Sequence, residues 1–156
     1  MAMPEAGAEA PQFELSDQSG ADVALRDLRG GWVVLYFYPR ADTPGCTTQA
    51  CSVRDRSTEY AGKGARVIGV SPDEVDAIAK FEDKYDLGFT LLADPDHSVA
   101  EAYGAWVEKT NYGKKYMGVQ RSTFIINPEG EIAQVIEKAS PKTHDDQVLA
   151  LLGEVA

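Results

Sequence analysis

The sequence is poor in several things that would each announce a function. Its 156 residues hold two cysteines and two histidines, too few and too scattered for the paired ligands of a zinc site. Basic residues are outnumbered, 15 Lys and Arg against 25 Asp and Glu, for a net charge of -10. A surface of that sign repels phosphate, which argues against nucleic acid and against anionic membranes. No apolar run approaches the roughly 20 residues needed to span a bilayer. There is no G-x-x-x-x-G-K phosphate loop, no C-x-x-C redox motif, no internal repeat and no linker. The opening MAMPEAGAEAPQ has neither the basic nor the apolar region of a secretory signal, so a cytoplasmic protein is expected. What remains is a chain 44% hydrophobic and 26% charged, ordinary for one globular domain. That domain is expected over residues 11–156, after a loose tail over 1–10.

Apolar patterning supplies the element order. Phe13–Leu15 and Val23–Leu25 flank an Asp17–Gly20 turn and predict a hairpin. Trp32–Tyr38, seven apolar or aromatic residues in succession, predicts a strand buried on both faces. A helix follows from Pro44 to about Tyr60, with Gly62 and Gly64 as stops. Val67–Val70 and Phe89–Leu92 read as strands, Asp73–Tyr85 and Ser98–Tyr103 as helices. Asp73 and Glu74 read as first-turn charges. Arg121–Ile126 and Glu131–Ile136 flank Asn-Pro-Glu-Gly as a second hairpin, and His144–Leu152 closes the chain as a helix. This order predicts an α/β sandwich with a central mixed sheet, thioredoxin-like, carrying an extra N-terminal β-hairpin.

Both cysteines fall in one stretch, PRADTPGCTTQAC, from Pro39 to Cys51. Thr43 is placed as the helix N-cap, its hydroxyl accepting an orphan backbone N–H, and Pro44 as the first helical residue. Cys46 then lies in the first turn, among free N–H groups at the positive end of the helix dipole. An unperturbed thiol is only about 3% ionised at pH 7, and helix N-termini favour the thiolate. Cys46 is therefore the expected nucleophile. Cys51 lies five residues on. Over five helical residues the chain rises about 7.5 Å and turns about 140°, placing the two Cα atoms roughly 8.6 Å apart, beyond the reach of about 7 Å for a disulfide. Either the two never bond, or bonding requires the first helical turns to unwind. A buried free cysteine acting as a small hydrophobe is the bland reading of Cys51.

Pro39-Arg-Ala-Asp-Thr43-Pro-Gly-Cys46 has the form P-x-x-x-T-x-x-C. Together with Cys51, Tyr112-Gly-Lys-Lys-Tyr-Met-Gly118 and Arg121-Ser-Thr-Phe-Ile, it resembles the Q-type peroxiredoxins, also called bacterioferritin comigratory proteins. The resemblance runs from about Phe13 to the C-terminal helix. It implies a thiol peroxidase acting on hydrogen peroxide and organic hydroperoxides without metal, haem or flavin. It further implies Cys46 as the peroxidatic residue, oxidised to a sulfenic acid, and Cys51 as the resolving residue, forming an intramolecular disulfide. Thioredoxin or a similar dithiol reductant would reduce that disulfide. Thr43 would face the peroxide, Pro39 would shield the thiolate, and Arg121 would lend a permanent positive charge. Gln49, one turn after Cys46 on the same helix face, is expected to orient Arg121. A resolving cysteine in the same chain removes the need for a dimer, so a monomer is expected.

Two other readings share these residues: a protein dithiol–disulfide oxidoreductase, disfavoured by the C-x4-C spacing, and a redox-sensing, chaperone-like module whose helix melts on oxidation. Lys114 and Lys115 read as a solvated loop, and His97 and His144 carry no pattern that assigns them a role.

Overall fold

The computed structural model describes residues 3–155. Its centre is β3, Trp32–Phe37, the apolar run anticipated from sequence. Val33, Leu35 and Phe37 enter one core, while Val34 and Tyr36, followed by Tyr38, enter the other. Two-sided burial explains the run: every position, not every second one, must be apolar. Each such side chain contributes about 1.5–3 kcal/mol when fully buried.

Around β3 lie β1 (Glu14–Asp17), β2 (Asp22–Ala24), β4 (Ala65–Ser71), β5 (Thr90–Ala93), β8 (Thr123–Ile126) and β9 (Ile132–Ile136). The sheet order is β2-β1-β5-β4-β3-β8-β9. β3, β4 and β5 run parallel. The β1–β2 hairpin joins β5 antiparallel, and β8 and β9 join the other edge antiparallel. The mixed sheet and the N-terminal hairpin are those expected. One face packs against α1 (Pro44–Asp55), α2 (Ser57–Gly62), α3 (Val75–Tyr85) and α5 (His144–Val155). The other packs against α4 (Ser98–Ala102) and the segment around Ala10 and Phe13. Among the described residues no helix is long and apolar enough to cross a membrane.

The structure departs from the sequence-based expectation in four places. The helix expected to run from Pro44 to Tyr60 is broken at Arg56 (φ -109°, ψ 19°). No glycine or proline causes the break. Arg56 pairs with Glu59 and with Asp146 of α5, and the new axis of α2 carries Tyr60 into the core, its hydroxyl bonded to Asp145. Second, β6 (Trp106–Asn111) and β7 (Lys114–Val119) form a separate hairpin where no strands were expected. Lys114 and Lys115 are exposed strand residues rather than a loop. Third, Gly7–Ala10, expected within the loose tail, is tied to the β8–β9 hairpin. Gly7 N–H donates to the Ile132 carbonyl (2.7 Å), Ile132 N–H to Ala8 (2.8 Å) and Ala10 N–H to Gly130 (3.0 Å), and Ala10 is buried. Fourth, α3 begins at Val75, so Asp73 precedes it and is not a first-turn charge.

Candidate active site

The end of β3 aims the chain at the site. Pro39, half-buried, follows the strand, and residues 40–43 bend into α1. Asp42 takes a left-handed conformation (φ 60°), sterically unfavourable for a residue with a Cβ. Tertiary contacts hold it there. Lys84 Nζ (2.9 Å) and Tyr85 Oη (2.8 Å), both on α3, donate to its carboxylate. These hydrogen bonds, Lys84 first, keep the Asp42 carboxyl below its ordinary range. One residue earlier, Ala41 N–H donates to Asp73 Oδ2 (2.8 Å), which also accepts from the Ser71 hydroxyl (2.8 Å). The loop is thus pinned from two sides before the helix starts.

Thr43 occupies the N-cap with extended backbone (φ -94°, ψ 157°). Its hydroxyl does not cap the helix as expected. It donates to the Arg40 carbonyl at 2.9 Å, which spends its proton and leaves its lone pairs to accept. Pro44 opens α1, where the missing N–H costs nothing. Cys46 lies in the first turn, 1% exposed, against Tyr36, Tyr38 and Ala50 in the same core. Burial raises the Tyr36 phenol well above its ordinary value, and Tyr38 and Cys46 add to the shift. It therefore remains a neutral phenol.

Arg121 arrives from the far end of the sequence, between β7 and β8. Its Nη2 donates to Cys46 Sγ at 3.1 Å and its Nη1 to Gln49 Oε1 at 3.0 Å. Gln49 is fully buried. The planar guanidinium therefore spans two residues one helical turn apart, a geometry that a lysine ammonium does not reproduce. Gly45 makes room for it: a Cβ there would stand 2.8 Å from Arg121 Nη2. Glycine in a first helical turn costs about 1 kcal/mol against alanine, and here the cost admits the cation.

Cys51 is half-buried on the same unbroken helix, and both cysteines are free thiols. With α1 continuous through both, the helical separation estimated from sequence applies and no bond joins them in this conformation. The structure brings Cys46, Gln49 and Arg121 into direct contact and sets Thr43 and Pro39 in the loop leading to them. Cys51 lies further along the same helix.

Sequence reasoning missed the seating role of Gly45 and the loop anchors Asp73 and Asp42. The signal for Gly45 was present, a glycine at the most helix-committed point of the motif. The anchors depend on contacts 32 and 42–43 residues apart and left no local pattern. His144 also gains a place. It is fully buried, with Nε2 2.8 Å from Thr123 Oγ1, and burial pushes its pKa down to about 4.

The sheet order and a thiol held by an arginine at a helix start define a thiol-redox enzyme on a thioredoxin-like scaffold, and comparison with known proteins narrows the class. The AhpC/TSA family profile matches residues 6–135. Peroxiredoxin Bcp of Bacillus subtilis (strain 168) is 44% identical over 152 residues, covering 97% of each chain. Peroxiredoxin Bcp of Escherichia coli (strain K12) is 45% identical over 152 residues, again covering 97% of each. The solved structure of Xanthomonas campestris peroxiredoxin Q superposes with a TM-score of 0.90 at 36% identity, covering 97% of this chain and 99% of that one. The chain belongs to the peroxiredoxins of the AhpC/TSA family.

Proposed function

We propose that this peroxidase reduces hydrogen peroxide and organic hydroperoxides through Cys46, with Cys51 resolving the product and a dithiol protein such as thioredoxin restoring both thiols. The observation that carries the reading is the Arg121 guanidinium at 3.1 Å from the Cys46 sulfur. A guanidinium at that distance donates a charge-assisted hydrogen bond to the sulfur. The same N–H groups can stabilise negative charge as it develops on the peroxide oxygens.

In the first step the Cys46 thiolate attacks one peroxide oxygen. The O–O bond breaks, the S–O bond forms, and the second oxygen leaves as water or alcohol after taking a proton. Cys46 is then a sulfenic acid. Thr43, its own proton committed to Arg40, can accept a hydrogen bond from the peroxide O–H and so orient it. Pro39 limits water access from the loop side, and Gln49 holds Arg121 in plane. In the second step the Cys51 thiolate attacks the Cys46 sulfur and displaces hydroxide, which leaves as water. This needs α1 to unwind locally, since its intact turns keep the sulfurs apart. The dithiol reductant then reopens the disulfide by thiol exchange. Because every oxidisable group lies in one chain, a cytoplasmic monomer suffices for the cycle.

Stopped-flow mixing of reduced protein with hydrogen peroxide, followed by tryptophan fluorescence, tests this reading. A second-order rate orders of magnitude above that of free cysteine is expected. A rate equal to that of free cysteine would refute it.

A further inference from the structure

Beside Arg121 the surface opens into a cleft of about 410 Å³ between β6 and the segment after β9. Val107 and Ala139 supply apolar wall. Lys109, Arg121 and Lys138 supply three cations, and Glu108 the one carboxylate. Glu108 already faces Lys115 at 3.7 Å. None of the three cleft cations has a carboxylate partner among the ion pairs of the described residues. On a protein of net charge -10, three cations around one cavity, Arg121 facing the Cys46 sulfur and the two lysines facing no carboxylate, are unexpected from composition.

Lys109 is the informative member. It sits half-buried on β6, on the same side of the strand as Val107. Its aliphatic stem crosses Gly118 of β7, where a Cβ would come within 3.3 Å of Lys109 Cδ. A side chain at position 118 would press this stem by a few tenths of an ångström, so glycine lets it lie close against β7. Burial, with the neighbouring Arg121 charge, lowers the Lys109 pKa from its ordinary value, while Cys46 acts in the opposite direction. A half-buried ammonium without a counter-ion is costly, and an incoming anion relieves the cost.

Resting on the peroxidase reading above, we infer that this cleft selects organic hydroperoxides that carry a carboxylate, Lys109 and Lys138 binding that group while the peroxy end reaches Arg121 and Cys46. Val107 and Ala139 would pack the hydrocarbon between the two ends. A hydrogen bond to a charged group contributes about 1.5–3 kcal/mol, so the preference over a neutral analogue of the same shape is on the order of tenfold or more.

The probe pair is cumene hydroperoxide and its 4-carboxylate, with hydrogen peroxide as reference, each mixed with reduced protein by stopped flow. The wild-type rate constant for the carboxylate should exceed that for the neutral compound by about tenfold. The ratio should shrink as salt rises from 0.02 to 0.5 M, since screening weakens the attraction. It should fall towards one in Lys109→Met and in the exposed-site variant Lys138→Met. A wild-type ratio of one or below would overturn the inference, as would a ratio unchanged by salt and by both variants. Fast reaction with hydrogen peroxide alongside either result leaves the peroxidase reading standing. No reaction with any of the three peroxides would remove both.

Discussion

Arg121 Nη2 donates to the sulfur of Cys46 at 3.1 Å across a sequence separation of 75 residues. This bond sets the chemical character of the first turn of α1. The helix terminus supplies oriented N–H groups, but the arginine supplies full charge, held in plane by its second bond to Gln49 Oε1 at 3.0 Å. Replacing Arg121 by glutamine should lower the second-order rate with hydrogen peroxide by about 10²–10³-fold, the usual cost of losing one preorganised donor at a developing anion. Gln49→Ala should cost less, about tenfold, because the guanidinium stays but its plane is freed. Gln49→Glu keeps an acceptor for Arg121 and should recover more rate than Gln49→Leu, which keeps volume alone. Equal losses in the last two would mean that Gln49 only fills space.

Gly45 separates activity from stability. A Cβ there would meet Arg121 Nη2 at 2.8 Å, so Gly45→Ala should displace the guanidinium and slow peroxide reduction by at least about tenfold. Alanine gains at most about 1 kcal/mol of helix propensity, which offsets part of the cost of unpairing buried Gln49, so thermal unfolding should show a Tm within a few degrees of the wild type. A variant with full activity would show that the arginine tolerates displacement.

His144 makes stability depend on pH. Its folded pKa of about 4 lies below the ordinary value of 6.5, chiefly through burial. The unfolded chain therefore binds more protons than the folded one between those values. Stability is full above about pH 6.5 and is lost as pH falls towards 4. Urea unfolding at pH 7 and pH 5 should show the wild type losing about 2 kcal/mol more than His144→Gln. The same loss in both proteins would place the acid sensitivity elsewhere, for example among the carboxylates.

The legible parts of the fold were those where burial is two-sided or periodic. β3 lies in an unbroken apolar run, Trp32–Tyr38, because both its faces are covered. The β6–β7 hairpin was not legible because more than half of its residues are exposed, Tyr116 and Met117 among them, and no alternation marks them. Its one signal was Tyr112-Gly113 at the turn, where φ is 52° and 77°, the pairing that two-residue hairpin loops require. The break at Arg56 was not legible because side chains from α5 impose it.

The site divides in the same way. Thr43, Cys46 and Gln49 lie within two helical turns, so spacing alone grouped them. Arg121 entered through family resemblance, and its contact with Gln49 agrees with the orientation expected from sequence. The Thr43 hydroxyl reversed its expected role, donating to Arg40 where an acceptor for helix N–H groups was anticipated. Lys109, Gly45 and Asp73 matter only through partners that folding brings to them.

Two sulfurs share one helix and can join only when that helix opens. Peptide mass spectrometry after one equivalent of hydrogen peroxide, on the wild type and on Cys51→Ser, tests it most directly. The wild type should lose two hydrogens and yield a Cys46–Cys51 linked peptide. Cys51→Ser should instead carry one added oxygen on Cys46, and a second when further peroxide is supplied, with no linkage. A wild-type protein that leaves Cys46 reduced, or carries its oxidation on Cys51 alone, would contradict the assignment of the nucleophile.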